Sequence, residues 1–562
     1  MWAALAVSAC ATGGTPGTGA GTDPGAPPAT LPEPGTELRA SVERGRVDVE
    51  RYMLAIDLGD PASGEFRAVA SLELTLAPGR EFIELDYAGP RIESVLLAGQ
   101  EIRFAREGAI LRVGPLGPEP VARDLSLLVR YGGAPEDGLF FGQDGNGDPA
   151  VFADNWPNRA RWWFPANDHP SDKATVRFEI TVPAGYEAIA NGRHVETRES
   201  PDGLTWVWET HPDAPIPTYT MVLGVARFEE RALGEAACGR APAVTGADCV
   251  PVSVWALAGD GEYGAERFAR APDMLDYYSE LVGPYPYEKL AHVESSTRFG
   301  GMENSSAIFY ARTGWEERRM GEDVIAHETA HQWFGDAVTP GSWYHLWVSE
   351  GFASYFGPLY FRARDGEAAF RERMAAARET VLGSAVAGQA IVDSSTNDLF
   401  ALLNANNYQK GAWVLHMLRG RLGDEAFFRA IRDYYSRRLH GLSDTEGLKL
   451  ALERASGRTL DEFFEQWVYS PGHPRLEIEW WEEGGDLYLS VAQRQPETWP
   501  TFQLRTEVEL LRADGTRIRR SIELSEREQT VRLGGDGGAR DLTIDPDGWL
   551  LASLEVRRRP AP

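Results

Sequence analysis

Positive charge is in short supply in this chain: 56 lysines and arginines stand against 84 aspartates and glutamates, a formal net charge of −28. Nucleic-acid binding leaves a basic footprint, so that class of partner is not expected. Cysteine is scarcer still, with three in 562 residues and no CxxC pair, which removes the cysteine-rich zinc modules. No run of about 18 apolar residues marks a membrane-spanning helix, and no internal repeat suggests a solenoid. What remains is a globular composition, 43% hydrophobic and 25% charged, long enough for three or four domains.

The N-terminus reads MWAALAVSACATGG. Its short apolar run ends in Val7-Ser8-Ala9-Cys10 and resembles the lipobox at which bacterial lipoproteins are cleaved and acylated. The resemblance implies a lipid on Cys10, an extracytoplasmic location at the cell envelope, and no other membrane contact. The stretch Thr12 to Glu37 is rich in Gly, Thr, Pro and Ala, as a disordered tether is, so residues 1–38 are read as leader and tether. Cys238 and Cys249 bracket the polar loop GRAPAVTGAD, and an oxidising compartment would let them close a disulfide.

The fold class expected is multidomain α+β. Over residues 39–235, segments such as VDVERYMLAIDL and KATVRFEITVP alternate apolar and polar residues, the pattern of an all-β domain. From about Tyr263 the period turns helical, and residues 236–470 are read as the second domain. Ser443 with Glu446 and Thr459 with Glu462 have capping-box spacing, Gly423, Gly441 and Gly457 sit at expected helix stops, and Gly357-Pro358 is expected to break a helix. Residues 471–562 return to strands, with Asp514-Gly515 as a hairpin turn, and are read as a small β-sandwich. The loop DGNGD at 144–148 lacks the glycine and glutamate of an EF-hand and is read as a turn.

Among only ten histidines, two fall in His327-Glu328-Thr329-Ala330-His331, an HExxH motif, and Glu350 lies eighteen residues beyond it in sequence. Chance would produce the five-residue pattern roughly 0.03 times in such a chain, which sets aside two solvated histidines on an amphipathic helix. Residues four apart share a helix face, so His327 and His331 can direct two imidazole nitrogens at one point. With Glu350 as third ligand, the donor set is that of one catalytic Zn²⁺ with a position left open for water. Glu328 cannot replace a histidine as ligand; it is placed to act as general base and then general acid. HExxH alone leaves endopeptidase and exopeptidase open.

A second motif, Gly300-Gly301-Met302-Glu303-Asn304, precedes the histidines, GPYPYEKL lies before it, and Tyr408-Gln409-Lys410-Gly411 follows the helices. Together with HETAHQWFGD these resemble the gluzincin aminopeptidases, the family of aminopeptidase N and the leukotriene hydrolase. The resemblance implies a thermolysin-like α/β catalytic domain, zinc held by His327, His331 and Glu350, and peptide substrates with a free N-terminus. It further implies that Glu303 binds the substrate α-ammonium, that Tyr408 donates to the oxyanion, and that Gly300, Gly301, Met302 and Asn304 form the surrounding substrate-binding strand.

Departures from the family pattern are specific. Trp156 stands five residues before Arg161 where Gln or Glu is usual, leaving Asp154, Asn155 or the Trp156 ring itself to contact the amine; Ser305 follows Asn304, and Ser349 replaces the usual Asn before Glu350. Only about 90 residues follow the catalytic domain, which leads us to expect a more open cleft. An epoxide hydrolase or metalloendopeptidase using the same zinc is the alternative within enzymes; an inert tethered binding protein is the alternative outside them.

Overall fold

The computed structural model describes residues 47–559 apart from 118, 202, 242–245 and 536–537. The leader, Cys10 and the tether expected over residues 1–38 lie outside the described residues.

Alternation in the sequence becomes sheet at once. Strand β1 (Val47–Asp57) buries every second residue at its start and pairs antiparallel with β2 (Phe66–Leu76), which pairs with β3 (Arg123–Gly133). On the other side β1 pairs in parallel with β4 (Lys173–Val182), and β4 pairs with β5 (Gly203–Glu209), within a nine-stranded sheet. Apolar side chains on one face of each strand, including Tyr52, Leu54, Phe178 and Ile180, form the core beneath it.

The next strand, β6 (Phe228–Ala236), leaves this domain. It pairs with β7 (Val250–Leu257) in a five-stranded sheet completed by β8 (Leu290–Ser295), β9 (Gly301–Met302) and β10 (Ala307–Ala311). The passage between sheets therefore falls before Phe228, and residue 235 lies inside a strand of the second domain. Cys238 and Cys249 sit just beyond β6, with their sulfurs at a bonding distance of 2.08 Å. Short β9 is the edge of its sheet.

Helices α1 (Ala271–Leu281) and α2 (Glu322–His331) pack on this sheet, and α3 (Trp347–Asp365), α4 (Glu367–Leu382), α5 (Gly411–Leu422), α6 (Asp424–Arg438) and α7 (Thr445–Ser456) build outward from α2 and from one another. Pro358 does not break α3, contrary to the expectation from sequence. The helix is buried along most of its length, and the hydroxyls of Tyr278 and Tyr277 donate to the carbonyls of Phe356 and Leu359, so packing holds the helix that the proline weakens. The N-cap of α7 is Asp444, whose carboxylate accepts from Gly447 N; Ser443 is one residue too early. Leu460, not Thr459, precedes the short helix Asp461–Phe464. The DGNGD loop is an Asx turn in which Asp144 Oδ1 accepts from Asn146 N and Asp148 N.

Beyond Pro474 a four-stranded sheet and a three-stranded sheet form the C-terminal β-sandwich, including the hairpin turned at Asp514-Gly515. It docks on α5 through Trp549, whose ring stacks 4.5 Å from His416. Among the described residues no helix is long and apolar enough to cross a membrane.

Candidate active site

Helix α2 ends at His331, and its 3.6-residue period puts His327 directly behind on the same face. Helix α3 crosses it and offers Glu350 from its first turn. The Nε2 atoms of His327 and His331 are 3.0 Å apart, and Glu350 Oε2 lies 3.3 Å from the first and 3.2 Å from the second. A tetrahedral ion with donors at about 2.0 Å has donor-to-donor edges of about 3.3 Å. The triangle fits such an ion. Its chemistry agrees, because Glu350 Oε2 is buried with no hydrogen-bond donor of its own.

The electrostatics show the same demand for a cation. Burial alone would push the Glu350 carboxyl up, yet His331 and His327 hold it down to about 2. Burial likewise opposes charge on His331, but Glu350 together with Glu303 and Glu328 drives its affinity for a proton well above the usual histidine range. The ring is aimed by its other nitrogen, with Nδ1 3.0 Å from Phe334 O and 3.1 Å from Ser349 Oγ, which leaves Nε2 to face the site as an electron-pair donor. Gly335 is needed beside it: φ is +120°, and a Cβ there would meet Ser349 Oγ at 2.4 Å.

Opposite the histidines lies edge strand β9. Gly301 pairs with Tyr310 and Met302 with Phe309, and a Cβ on Gly301 would sit 2.4 Å from the Glu328 carboxylate. The glycine lets Glu328 lie flat against the strand. Glu303 follows, with a carboxylate oxygen within 4.8 Å of those of Glu328 and of a His331 nitrogen. Burial raises Glu328 well above the carboxylate range and Glu303 to about 7, with Glu350 adding to both and His331 opposing. Gly300 is exposed at the mouth, Met302 is buried, and Asn304 is buried with neither side-chain amide atom hydrogen-bonded.

Tyr408 sits in a single π turn, Asn406–Lys410, at the head of α5. Its hydroxyl donates to Glu350 Oε1 at 2.8 Å, and its ring lies parallel to that of His327. His327, Glu328, His331, Glu350, Glu303 and Tyr408 therefore come together with Gly301 against Glu328, while Gly300, Met302 and Asn304 flank them along the strand and turn. Of the groups considered near Trp156, Asp154 is close enough to add to the negative field at Glu303, and each already has partners of its own. Asp154 is held by Arg159 at 2.5 Å and by Thr297, and Asn155 is committed to the carbonyls of Thr218 and Met221 and to the Trp163 indole. Trp156 is buried among Phe299, Trp343 and Phe400, edge to face with each. Ser349 and Gln332, which orient His331 and Glu303, gave no signal of those contacts in sequence, because the partners are distant along the chain.

Fold and site together define an HExxH metallohydrolase with a carboxylate third ligand. Comparison with known proteins carries this one step further. The peptidase family M1 domain profile matches residues 267–467 and the peptidase M1 N-terminal domain profile residues 118–220, together more than half of the chain, which belongs to this family. Aminopeptidase N of Streptomyces lividans is 28% identical over 82% of this chain and 55% of its own length. Probable aminopeptidase 1 of Sulfurisphaera tokodaii is 25% identical over 77% of this chain and 54% of its own. The chain thus spans about half the length of these curated relatives. Among solved structures, an M1 zinc metallopeptidase variant of Deinococcus radiodurans bound to a Tyr-Ser-Ala substrate matches with a TM-score of 0.65 and 25% identity, over 75% of this chain and 94% of that one.

Proposed function

We propose that this protein is a zinc-dependent aminopeptidase that removes residues from the free N-termini of peptides. The observation that carries the reading is the Glu303 carboxylate, buried within 4.8 Å of His331 and Glu328 and opposite a donor triad that fits zinc. A bound Zn²⁺ held by His327, His331 and Glu350 would supply Lewis acidity for the carbonyl and acidify water.

The remaining roles belong to the chain. The unpaired edge of β9 accepts the substrate backbone as an added strand, and Glu303 takes its ammonium group in a charge-assisted hydrogen bond. A blocked or internal residue would leave that carboxylate buried and unpaired, which is the source of selectivity. Glu328, whose burial raises its affinity for protons, accepts one from the attacking water and returns it to the departing nitrogen. Tyr408, held by Glu350 Oε1 at the rim, supplies a hydroxyl for the oxyanion. The reading of the protein as a lipoprotein of the envelope rests on Cys10, with support from the Cys238–Cys249 pair. Intact mass of native protein tests it; an unacylated Cys10 removes the anchor.

The activity is tested with free aminoacyl-arylamides beside their N-acetylated counterparts, before and after chelation and zinc restoration. Cleavage of free amines alone, lost and restored with zinc, is the expected result. Equal cleavage of blocked substrates favours an endopeptidase, and turnover of an epoxide instead favours the other hydrolase.

A further inference from the structure

Glu303 leaves edge strand β9 and enters a tight turn, Asn304-Ser305-Ser306, before β10 begins. Ser306 takes a left-handed conformation at φ +64°, which a residue other than glycine keeps only where its surroundings over-determine it. Those surroundings are identifiable. From the side of the zinc-motif helix comes Gln332, the residue after His331, whose side chain is fully buried. Its Oε1 accepts from Ser306 N at 2.8 Å and lies 3.2 Å from the Tyr285 hydroxyl, which donates to Lys289 O at 2.8 Å. Its Nε2 donates to the Glu303 carbonyl at 3.1 Å and to Asp336 Oδ2 at 2.8 Å. Both donors of the amide and the acceptor facing the turn are used. From the N-terminal β domain, Asn191 Nδ2 donates to Ser305 O, Gly192 N donates to Ser306 Oγ, and Ser305 Oγ donates to Thr220 Oγ1.

Gln332 therefore grips both ends of the turn that presents Glu303, the carbonyl of Glu303 itself and the amide of Ser306, from a position one residue along the chain from a member of the donor triad. We propose that Gln332 is a positioning residue that sets the distance from Glu303 to the His327, His331 and Glu350 triad, and so fixes the site's selection for a free N-terminal amine. The inference rests on the aminopeptidase reading. It assigns to the N-terminal domain, through Asn191, Gly192 and Thr220, the opposing half of the same clamp. A carboxylate displaced by a fraction of an ångström still binds an amine, but no longer with the scissile carbonyl in register with the triad.

The test is Gln332→Met, which keeps the length of the side chain without its hydrogen bonds, alongside Gln332→Glu, which keeps the acceptor toward Ser306 and loses the donor toward Glu303. Zinc content, thermal midpoint and the kinetics of free and N-acetylated arylamides are measured for both and for the wild type. The expected result is a rise in KM for free amines of about tenfold or more, with kcat within about threefold, zinc unchanged, and a smaller preference over acetylated substrates. Should the methionine variant fail to fold, the glutamate variant carries the test alone. A selective wild type whose variants keep KM and selectivity, or lose zinc or kcat instead, overturns this inference and leaves the aminopeptidase standing. A wild type indifferent to N-acetylation overturns both.

Discussion

Glu350 and Glu303 are the same residue type, buried in the same cleft, and they answer to opposite conditions. Glu350, on the helical wall, faces two imidazoles at 3.2 and 3.3 Å and is held down to about 2. Glu303, on the strand wall, faces other carboxylates, and burial outweighs the opposing effects of His331 and a backbone hydrogen bond, raising it to about 7. Depth of burial does not distinguish them; neighbours do. One wall is completed by a cation that stays, whereas the other is left short of positive charge, which a substrate ammonium can supply. Under the proposed function, that difference is what turns a general HExxH site into one that recognises chain ends.

The comparison can be broken most severely on the helical wall. For Glu350→Ala, bound zinc falls to background and turnover is abolished, as metal analysis beside activity will show. Glu328→Gln leaves zinc in place and lowers kcat by about 10³-fold; near-normal turnover would refute the general-base role. Tyr408→Phe is expected to lower kcat by about 10²-fold with little change in KM, and a change confined to KM would remove its hydroxyl from the transition state. On the strand wall, Glu303→Gln raises KM for free amines by about tenfold to a hundredfold and narrows the gap to acetylated substrates, whereas an unchanged ratio would mean the amine is read elsewhere. Smallest is Ser349→Ala, which removes the hydroxyl beside His331 Nδ1 and weakens zinc by about tenfold in competition with a chelator, while activity at saturating zinc is retained.

Much of this site could be read from sequence because its parts are local. His327 and His331 need only the helical period, and Gly301 and Glu303 lie within one motif. Other expectations failed where local rules met tertiary packing. Pro358 stays inside α3 because Tyr277 and Tyr278 donate to carbonyls near it. The cap of α7 is Asp444 rather than Ser443; its carboxylate accepts from Gly447 N without a reciprocal glutamate, so the stronger single cap prevails over capping-box spacing. Strand β6, FEERALGEA, has little alternation of its own and is buried only at its two ends, so nothing in its pattern reveals that it pairs with β7 in another domain. Asp154 is paired with Arg159 and Asn155 holds the Thr218 and Met221 carbonyls, contacts between groups that no local pattern ties together.

By itself, the sequence determined which chemistry is present: two imidazoles and a base on one helix face, a carboxylate on the next helix, and an acid after a pair of glycines. These follow from the spacing of side chains along regular backbone, which neighbours cannot change. Tertiary structure alone decided the distances among them, the opposite proton affinities of Glu350 and Glu303, the hydrogen bond from Tyr408 to Glu350, and the grip of Gln332 on the turn at Ser306. Each of those depends on groups far apart in the chain brought into a medium of low dielectric, where an ångström of approach changes an electrostatic energy by more than any local preference can.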